Sequence, residues 1–294
     1  MTKDQLLERL ESLSHVSNDK WLSSLDKRKL KELEFHNRDR NLELIESLPK
    51  DIYEQLHGNK KFYKTVELSQ RYTENWINTN SKGKIFLDYA CGNGFNAIKA
   101  AKAGADLAIG IDISNISVNN ARRFAKEQGV VTNTYFLQGD CENTALPDDC
   151  IDVCICSGML HHLDLSYAFC ELKRILKKGG VILAVEALNY NPLIKLYRYL
   201  TPEMRTDWEK KHILSYKDIA FAKKFFDVKN IKHWHLFSIV GVYAPFVLPL
   251  LNKVDSFIVK LPFLKMMSWM FTFELHKGVL QNSLGSMNCS DVDS

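Results

Sequence analysis

The chain has 294 residues, 46% of them hydrophobic and 25% charged, with a formal net charge of +4. That length can bury a real core in one decorated domain, and a charge this small with no clustered basic stripe argues against nucleic acid as a partner. Seven cysteines, none in a C-x-x-C pair, suit small core hydrophobes in a reducing compartment rather than a disulfide framework or a metal site.

Taken in chain order, residues 1–80 are polar and charged, with Leu6, Leu7, Leu10, Leu13, Leu30 and Leu33 at helical spacing. This reads as a helical segment that caps the rest. Its opening, MTKDQLLERLESLSH, lacks a continuous apolar run, so a secretory leader is not expected and the location reads as cytoplasmic. The basic stretch DKRKLKE, Asp26 to Glu32, is interrupted by acids and reads as a solvated helix face.

From residue 81 to about 280 the pattern alternates. Strands are expected at Ile85–Tyr89, Leu107–Ile113, Thr134–Gln138, Ile151–Ser157 and Val181–Ala187. Helices are expected at Asn96–Gly104, Ser117–Gln128 and Tyr167–Leu176, with KKGG as a stop. Such alternation implies βαβ units and a doubly wound α/β, Rossmann-like sheet. A further strand is expected at Asn230–Ile239 and another in MMSWMFTFEL, with an apolar, proline-containing insertion at about 241–268 between them. That insertion is shorter than a bilayer span and is broken by Pro245 and Pro249. Residues 281–294 are polar and read as a disordered tail.

The first strand runs into a glycine turn, LDYACGNGFNAIKA. Gly92, Gly94 and Ala97 satisfy the spacing of a dinucleotide grip, and Asp112 about 20 positions on would take ribose hydroxyls. Both a nicotinamide dinucleotide and S-adenosylmethionine are served equally so far. Asp88 favours the second. A carboxylate facing a pyrophosphate at ~5 Å, at an effective dielectric of ~20, costs roughly 3 kcal/mol per charge pair. An ammonium and a sulfonium would welcome it; an aspartate that merely caps the turn is the alternative. Asp140 ends the third strand, placed to accept from an adenine amino group, with the Cys141 backbone beside it.

These residues carry a resemblance. Residues from about 84 to 189 resemble the class I S-adenosylmethionine-dependent methyltransferases of small-molecule type, and specifically the ubiquinone/menaquinone-biosynthesis-like group. The family's first motif, D-x-G-C-G-x-G, stands here as DYACGNG, with Ala90 for the first glycine. The resemblance implies a mostly parallel seven-stranded sheet, with a sixth strand parallel to the others and an antiparallel seventh. It implies that Asp88 and Gly92 hold the methionine end, Asp112 the ribose, and Asp140 and Cys141 the adenine. Ala90, Gly94, Ile113 and Ser157 complete the implied cofactor set.

Methyl transfer needs the acceptor held in line with the methyl, and a base when that acceptor is a hydroxyl. His161 and His162, at the end of the fourth strand, are the candidates, with His162 preferred; a hydrogen-bonded loop histidine is the bland reading. His36, Tyr63 and Arg205 could reach the acceptor from flanking segments. The fourth strand ends in SGML rather than the Asn/Asp-Pro-Pro-aromatic stretch of base amino-methyltransferases, and no Pro-Cys dipeptide exists. Nucleic acid is again disfavoured as a substrate.

The 241–268 insertion reads as an apolar lid, which implies an acceptor with apolar surface, aromatic, quinone-like or lipid-like. Methylation at oxygen is the separate expectation for such an acceptor. Its alternatives are a peripheral membrane contact with Lys253, Lys260 and Lys265 near headgroups, or a packing element. His233 and His235 flank Trp234 and would share one strand face; without a third ligand they give no metal site. Two other functions remain open at this stage: an NAD(P)-dependent oxidoreductase, and a non-catalytic S-adenosylmethionine-binding module.

Overall fold

The computed structural model describes residues 2–15 and 18–278. The expected tail at 281–294, with Cys289, lies outside the described residues. Six helices precede the sheet: α1 Lys3–Ser14, α2 Asn18–Ser23, α3 Lys27–Arg40, α4 Leu42–Ser47, α5 Lys50–His57 and α6 Glu67–Asn80. The alternating region follows as β1 Ile85–Tyr89, α7 Phe95–Lys102, β2 Leu107–Asp112, α8 Asn115–Glu127, β3 Thr134–Gln138, β4 Ile151–Ser157, α9 Leu165–Ile175 and β5 Leu176–Ala187. The chain closes with α10 Pro192–Leu200, α11 Glu209–His212, α12 Tyr216–Ala222, β6 Asp227–Trp234, α13 Leu248–Ile258 and β7 Met270–His276.

Strand order is β3-β2-β1-β4-β5-β7-β6. β1 to β5 pair in parallel, and β7 runs antiparallel between β5 and β6, which makes β6 parallel to the first five. The chain winds from β1 out to β3, then returns to β4 on the other side of β1. The crevice that opens there, beyond the carboxyl ends of β1 and β4, is where ligands lodge in such sheets.

Side chains alternate across the sheet with a period of two, so each strand feeds two cores. Leu87 and Tyr89 of β1 and Ile109 and Ile111 of β2 join Phe169, Phe225 and, from α1, Leu6 and Leu10 on one face. Phe86 and Ala108 point the other way, to Trp76 and Ile77 of α6 and the small residues Ala97, Ala101 and Ala121 of α7 and α8. Small residues on that face let the helices sit close. Gly110 in the middle of β2 obeys the same constraint, because a Cβ there would lie 2.6 Å from the Phe136 ring.

Three expectations change. The helix before KKGG ends at Ile175, but β5 begins at Leu176 rather than Val181 and runs through both glycines, with Gly179 at φ +78 and a register shift near Val153 absorbing the irregularity. The sixth strand ends at Trp234 and turns at His235, φ +66, so His233 and His235 do not share a face. His233 bonds to the Tyr216 hydroxyl, whereas His235 is wholly buried between Ser69 and Ser238. The insertion folds into a short 3-10 turn over Ser238–Val242, then α13. Among the described residues no helix is long and apolar enough to cross a membrane.

Candidate active site

The turn after β1 is shaped by backbone demands. Ala90, Gly92 and Gly94 all take positive φ, at 54, 50 and 75. Ala90 therefore holds a left-handed conformation that glycine adopts more cheaply. Gly94 serves packing rather than the ligand: a Cβ there would stand 2.6 Å from the Phe136 ring and 2.7 Å from Ala121. Asp112, at the end of β2, ties the turn down. One of its oxygens accepts the Gly92 N–H at 2.8 Å, the other the Ser114 N–H at 2.9 Å.

Asp88 corrects the sequence reading. Its carboxylate does not face the crevice; it is 1% exposed and turns to the start of α7, accepting the Ala97 N–H at 3.1 Å and the Asn96 side-chain amide at 3.5 Å. The free amides of a helix N-terminus lie closer to hand than any ligand. Burial dominates its titration and pushes the pKa up to about 7, against the pull of those hydrogen bonds.

DKRKLKE is the second correction, because only part of it faces water: Asp26, Lys27 and Lys31 are exposed, while Arg28, Lys29 and Glu32 are engaged with the sheet edge. Helix α3, capped by Asp26 on the Lys29 N–H, lies over the carboxyl edge of the sheet. Arg28 donates to Glu142 at 2.6 Å and to the His162 carbonyl at 3.1 Å, and Lys29 donates to Asp140 at 2.6 Å. Asn37 accepts from Ser114 at 2.6 Å. Glu32, from the same helix, is 4% exposed. One of its oxygens accepts from the Thr206 hydroxyl at 2.5 Å, and the other lies 2.9 Å from His162 Nδ1. His161 has a matching partner: its Nδ1 is 2.7 Å from Glu186, whose other oxygen accepts the Met159 and Leu160 N–H groups.

Three cavities adjoin along this edge. The first lies between α3 and the Gly92 turn and is lined by Ala90, Gly92, Asp112, Ile113, Asp140 and Cys141, with Ser157 at the end of β4. The second, about 540 Å³, shares His36, Arg40, Ser157 and His162 with the first. The third, about 440 Å³, is walled by Phe62, Leu193, Tyr197, Phe237, Val240 and Tyr243 and shares Tyr63, His161 and Glu209 with the second. His162 thus stands at one junction and His161 at the other. The structure brings together every candidate site residue except Asp88 and Gly94, whose side-chain positions face the protein. Of the insertion, the first turn with the preceding Phe237 walls the third cavity, while α13 sits behind it, with Asp255 accepting the backbone amides of residues 236–238.

The two histidines nearest the first junction titrate in opposite directions. His36 is held well below the usual imidazole range by burial, with His162 and Arg40 adding to it. Burial also works against a charge on His162, but Glu32, then Glu209 and Glu186, outweigh it and raise the pKa. Glu32, His36 and His162 offer ligand atoms within 4.8 Å of one another. Each Glu32 oxygen is already engaged by a hydrogen-bond partner, which reads as a proton-handling cluster. Glu32, Glu186, Arg28, Lys29, Arg40 and Arg198 were not anticipated as site residues. The KELE and VEA stretches that hold Glu32 and Glu186 carried no spacing that ties a carboxylate to a distant histidine.

Residues 87–184 match the family described as "Methyltransferase domain". The chain is 30% identical over 155 residues to the uncharacterized methyltransferase YcgJ of Bacillus subtilis, covering 51% of this chain and 60% of the relative. It is 31% identical over 134 residues to the ubiquinone/menaquinone biosynthesis C-methyltransferase UbiE of Vibrio vulnificus, covering 42% of this chain and 50% of that relative. The chain therefore spans between half and two thirds of the length of these curated relatives. Among solved structures, geranyl diphosphate C-methyltransferase from Streptomyces coelicolor superposes with a TM-score of 0.54 at 13% identity, over 86% of this chain and 98% of that one. That likeness shows the Rossmann-like fold.

Asp88 supplies a test of its capping role. Its folded pKa of about 7 lies above the ordinary 3.8, so the stability it contributes is complete below pH 3.8 and is lost as pH rises towards 7. Asp88→Asn should gain stability relative to wild type between pH 5 and pH 7.5, by at most about 1.4 kcal/mol per unit. Urea unfolding of the ligand-free protein measures this; an identical difference at both pH values would show that the carboxyl is not protonated in the fold.

Proposed function

From a methyltransferase domain at residues 87–184, we propose that the chain transfers a methyl group from S-adenosylmethionine to a hydroxyl of an apolar or aromatic small molecule. When bound, that cofactor supplies an electrophilic methyl on a sulfonium. The first cavity suits it on an observation of its own: the Arg40 Nε is buried without a hydrogen-bond partner, beside the Gly92 turn, where a cofactor carboxylate would satisfy it. Asp112 and Ile113 would hold the ribose and Asp140 and Cys141 the adenine. Lys29 occupies one oxygen of Asp140, so α3 is part of the cofactor wall and must yield to admit it.

The observation that carries the reading is the His162–Glu32 pair at the junction of the cavities. Glu32 accepts a hydrogen bond from Nδ1–H in the matching tautomer, and Nε2, across the ring, makes no hydrogen bond among the described residues. A neutral His162 so oriented can take the acceptor's hydroxyl proton as oxygen attacks, and Glu32 stabilises the imidazolium that forms. His161, fixed by Glu186, and Tyr63 position the acceptor, whose apolar part lies in the third cavity. This arrangement favours oxygen over carbon as the methylated atom. An oxidoreductase reading has no comparable support.

The exposed apolar side chains of α10 and of the insertion favour peripheral contact with an anionic lipid surface. Phe246 and Phe263 are 86% and 88% exposed, and Leu193, Tyr199, Leu200, Tyr243, Leu250 and Phe257 are exposed with them. Through 187–202 and 235–269 the only acid is Asp255, which is buried, whereas Lys195, Lys253 and Lys260 are exposed. An apolar face bordered by cations of one sign suits lipid headgroups.

His162→Ala should lower transfer of tritiated methyl into organic-extractable material of a host lysate by roughly 10²–10⁴-fold, with S-adenosylhomocysteine binding retained. Glu32→Gln should shift the acid limb of the rate profile to lower pH, since the raised His162 pKa loses its main support. An unchanged rate in His162→Ala would overturn the base assignment. Separately, the protein should sediment with vesicles containing phosphatidylglycerol, and the Phe246→Ser, Phe263→Ser double variant should not. Equal recovery of both proteins with vesicles would contradict the lipid contact.

A further inference from the structure

The third cavity holds a charge that nothing among the described residues pairs with. Its walls are aromatic and aliphatic, yet Arg198 of α10 and Arg205 both reach it. Arg205 is engaged: its Nη1 donates to the Thr201 carbonyl at 2.9 Å and hydroxyl at 3.1 Å, and its Nε lies 3.5 Å from Glu209. Arg198 is not. Its Nη1 is buried with no hydrogen-bond partner, and among the described residues no carboxylate stands within ion-pair distance of it. Two guanidinium groups therefore face a single carboxylate, Glu209, which leaves one positive charge in an apolar chamber. Burial, and then the like charge of Arg205, push Arg198 down to about 10, so it remains charged at neutral pH.

A guanidinium with a buried, unpaired Nη1 and no counter-charge is costly, and a forked donor of this kind matches oxyanions in particular. An apolar acceptor alone would leave that cost in place in the complex. Resting on the methyl-transfer reading, we propose that the acceptor is an amphipathic acid, whose carboxylate or phosphate is bound by Arg198 with Arg205 beside it. Its hydrocarbon part lies along Phe237, Val240 and Tyr243, and its reacting hydroxyl extends past Tyr63 towards the two histidines. The arginines and His161 line the same cavity, so one molecule can meet both. Charge at that end also fixes which way round an elongated apolar molecule enters, which apolar walls cannot do.

Calorimetric titration of the full chain, in the presence of S-adenosylhomocysteine and below micellar concentrations, tests this with three probes: dodecanoate, dodecyl phosphate and dodecanol. The expected result is that at least one anion binds roughly tenfold or more tighter than the alcohol. Arg198→Gln should remove that preference while binding S-adenosylhomocysteine as wild type does, which also reports that the variant is folded. A preference for one anion over the other identifies the oxyanion and supports the proposal. Dodecanol binding as tightly as both anions, or an undiminished preference in Arg198→Gln, would overturn it. Failure of the wild type to bind S-adenosylhomocysteine while it still discriminates the anions would strike at the methyl-transfer reading instead.

Discussion

The site depends on one helix being held to one edge of the sheet. Arg28 and Lys29 clamp α3 onto Glu142 and Asp140, just beyond the end of β3. Both pairs are largely shielded from water, so removing one partner would strand a charge and cost far more than an exposed ion pair is worth. Through that clamp the helix delivers Glu32 to His162, His36 to the same junction, and Arg40 to the Gly92 turn. None of these contacts comes from the sheet alone. The N-terminal segment is thus a wall of the site.

A second constraint divides labour within the glycine turn. The turn must present backbone to a ligand and also start α7 against β3 and α8. Gly92 serves the first demand, Gly94 the second, and Asp88 the second as well, through the amides of α7. The charge argument that singled out Asp88 leads to the proposed ligand class by a route the geometry does not take. The carboxylate that meets the turn at the first cavity is Asp112, through the Gly92 amide, and the free buried donor beside the turn is Arg40.

What was legible in the sequence followed from local pattern. β1, β3 and β4 begin and end where their apolar runs do, and the carboxyl ends of the strands locate Asp112, Asp140, Ser157 and the histidine pair. What was illegible depends on distant partners. Glu32 and His162 are 130 positions apart and meet only because α3 crosses the sheet edge. A helix rich in Lys, Arg and Glu has the same composition whether its charges face water or other charges, so DKRKLKE read as solvated. KKGG looked like a stop because glycine pairs end helices, yet the same freedom lets an edge of β5 continue through them. The apolar insertion was found by composition, but only the fold separates the turn that walls the acceptor cavity from α13 behind it.

The central claim is that α3 and the strand ends together form a site for S-adenosylmethionine. Calorimetric titration of the full chain with S-adenosylhomocysteine, and in parallel with NADH, tests it most directly. The account requires saturable one-to-one binding of the first, weakened when Arg40→Ala removes the buried donor beside Gly92, and no binding of the second. Binding of NADH without S-adenosylhomocysteine would contradict it.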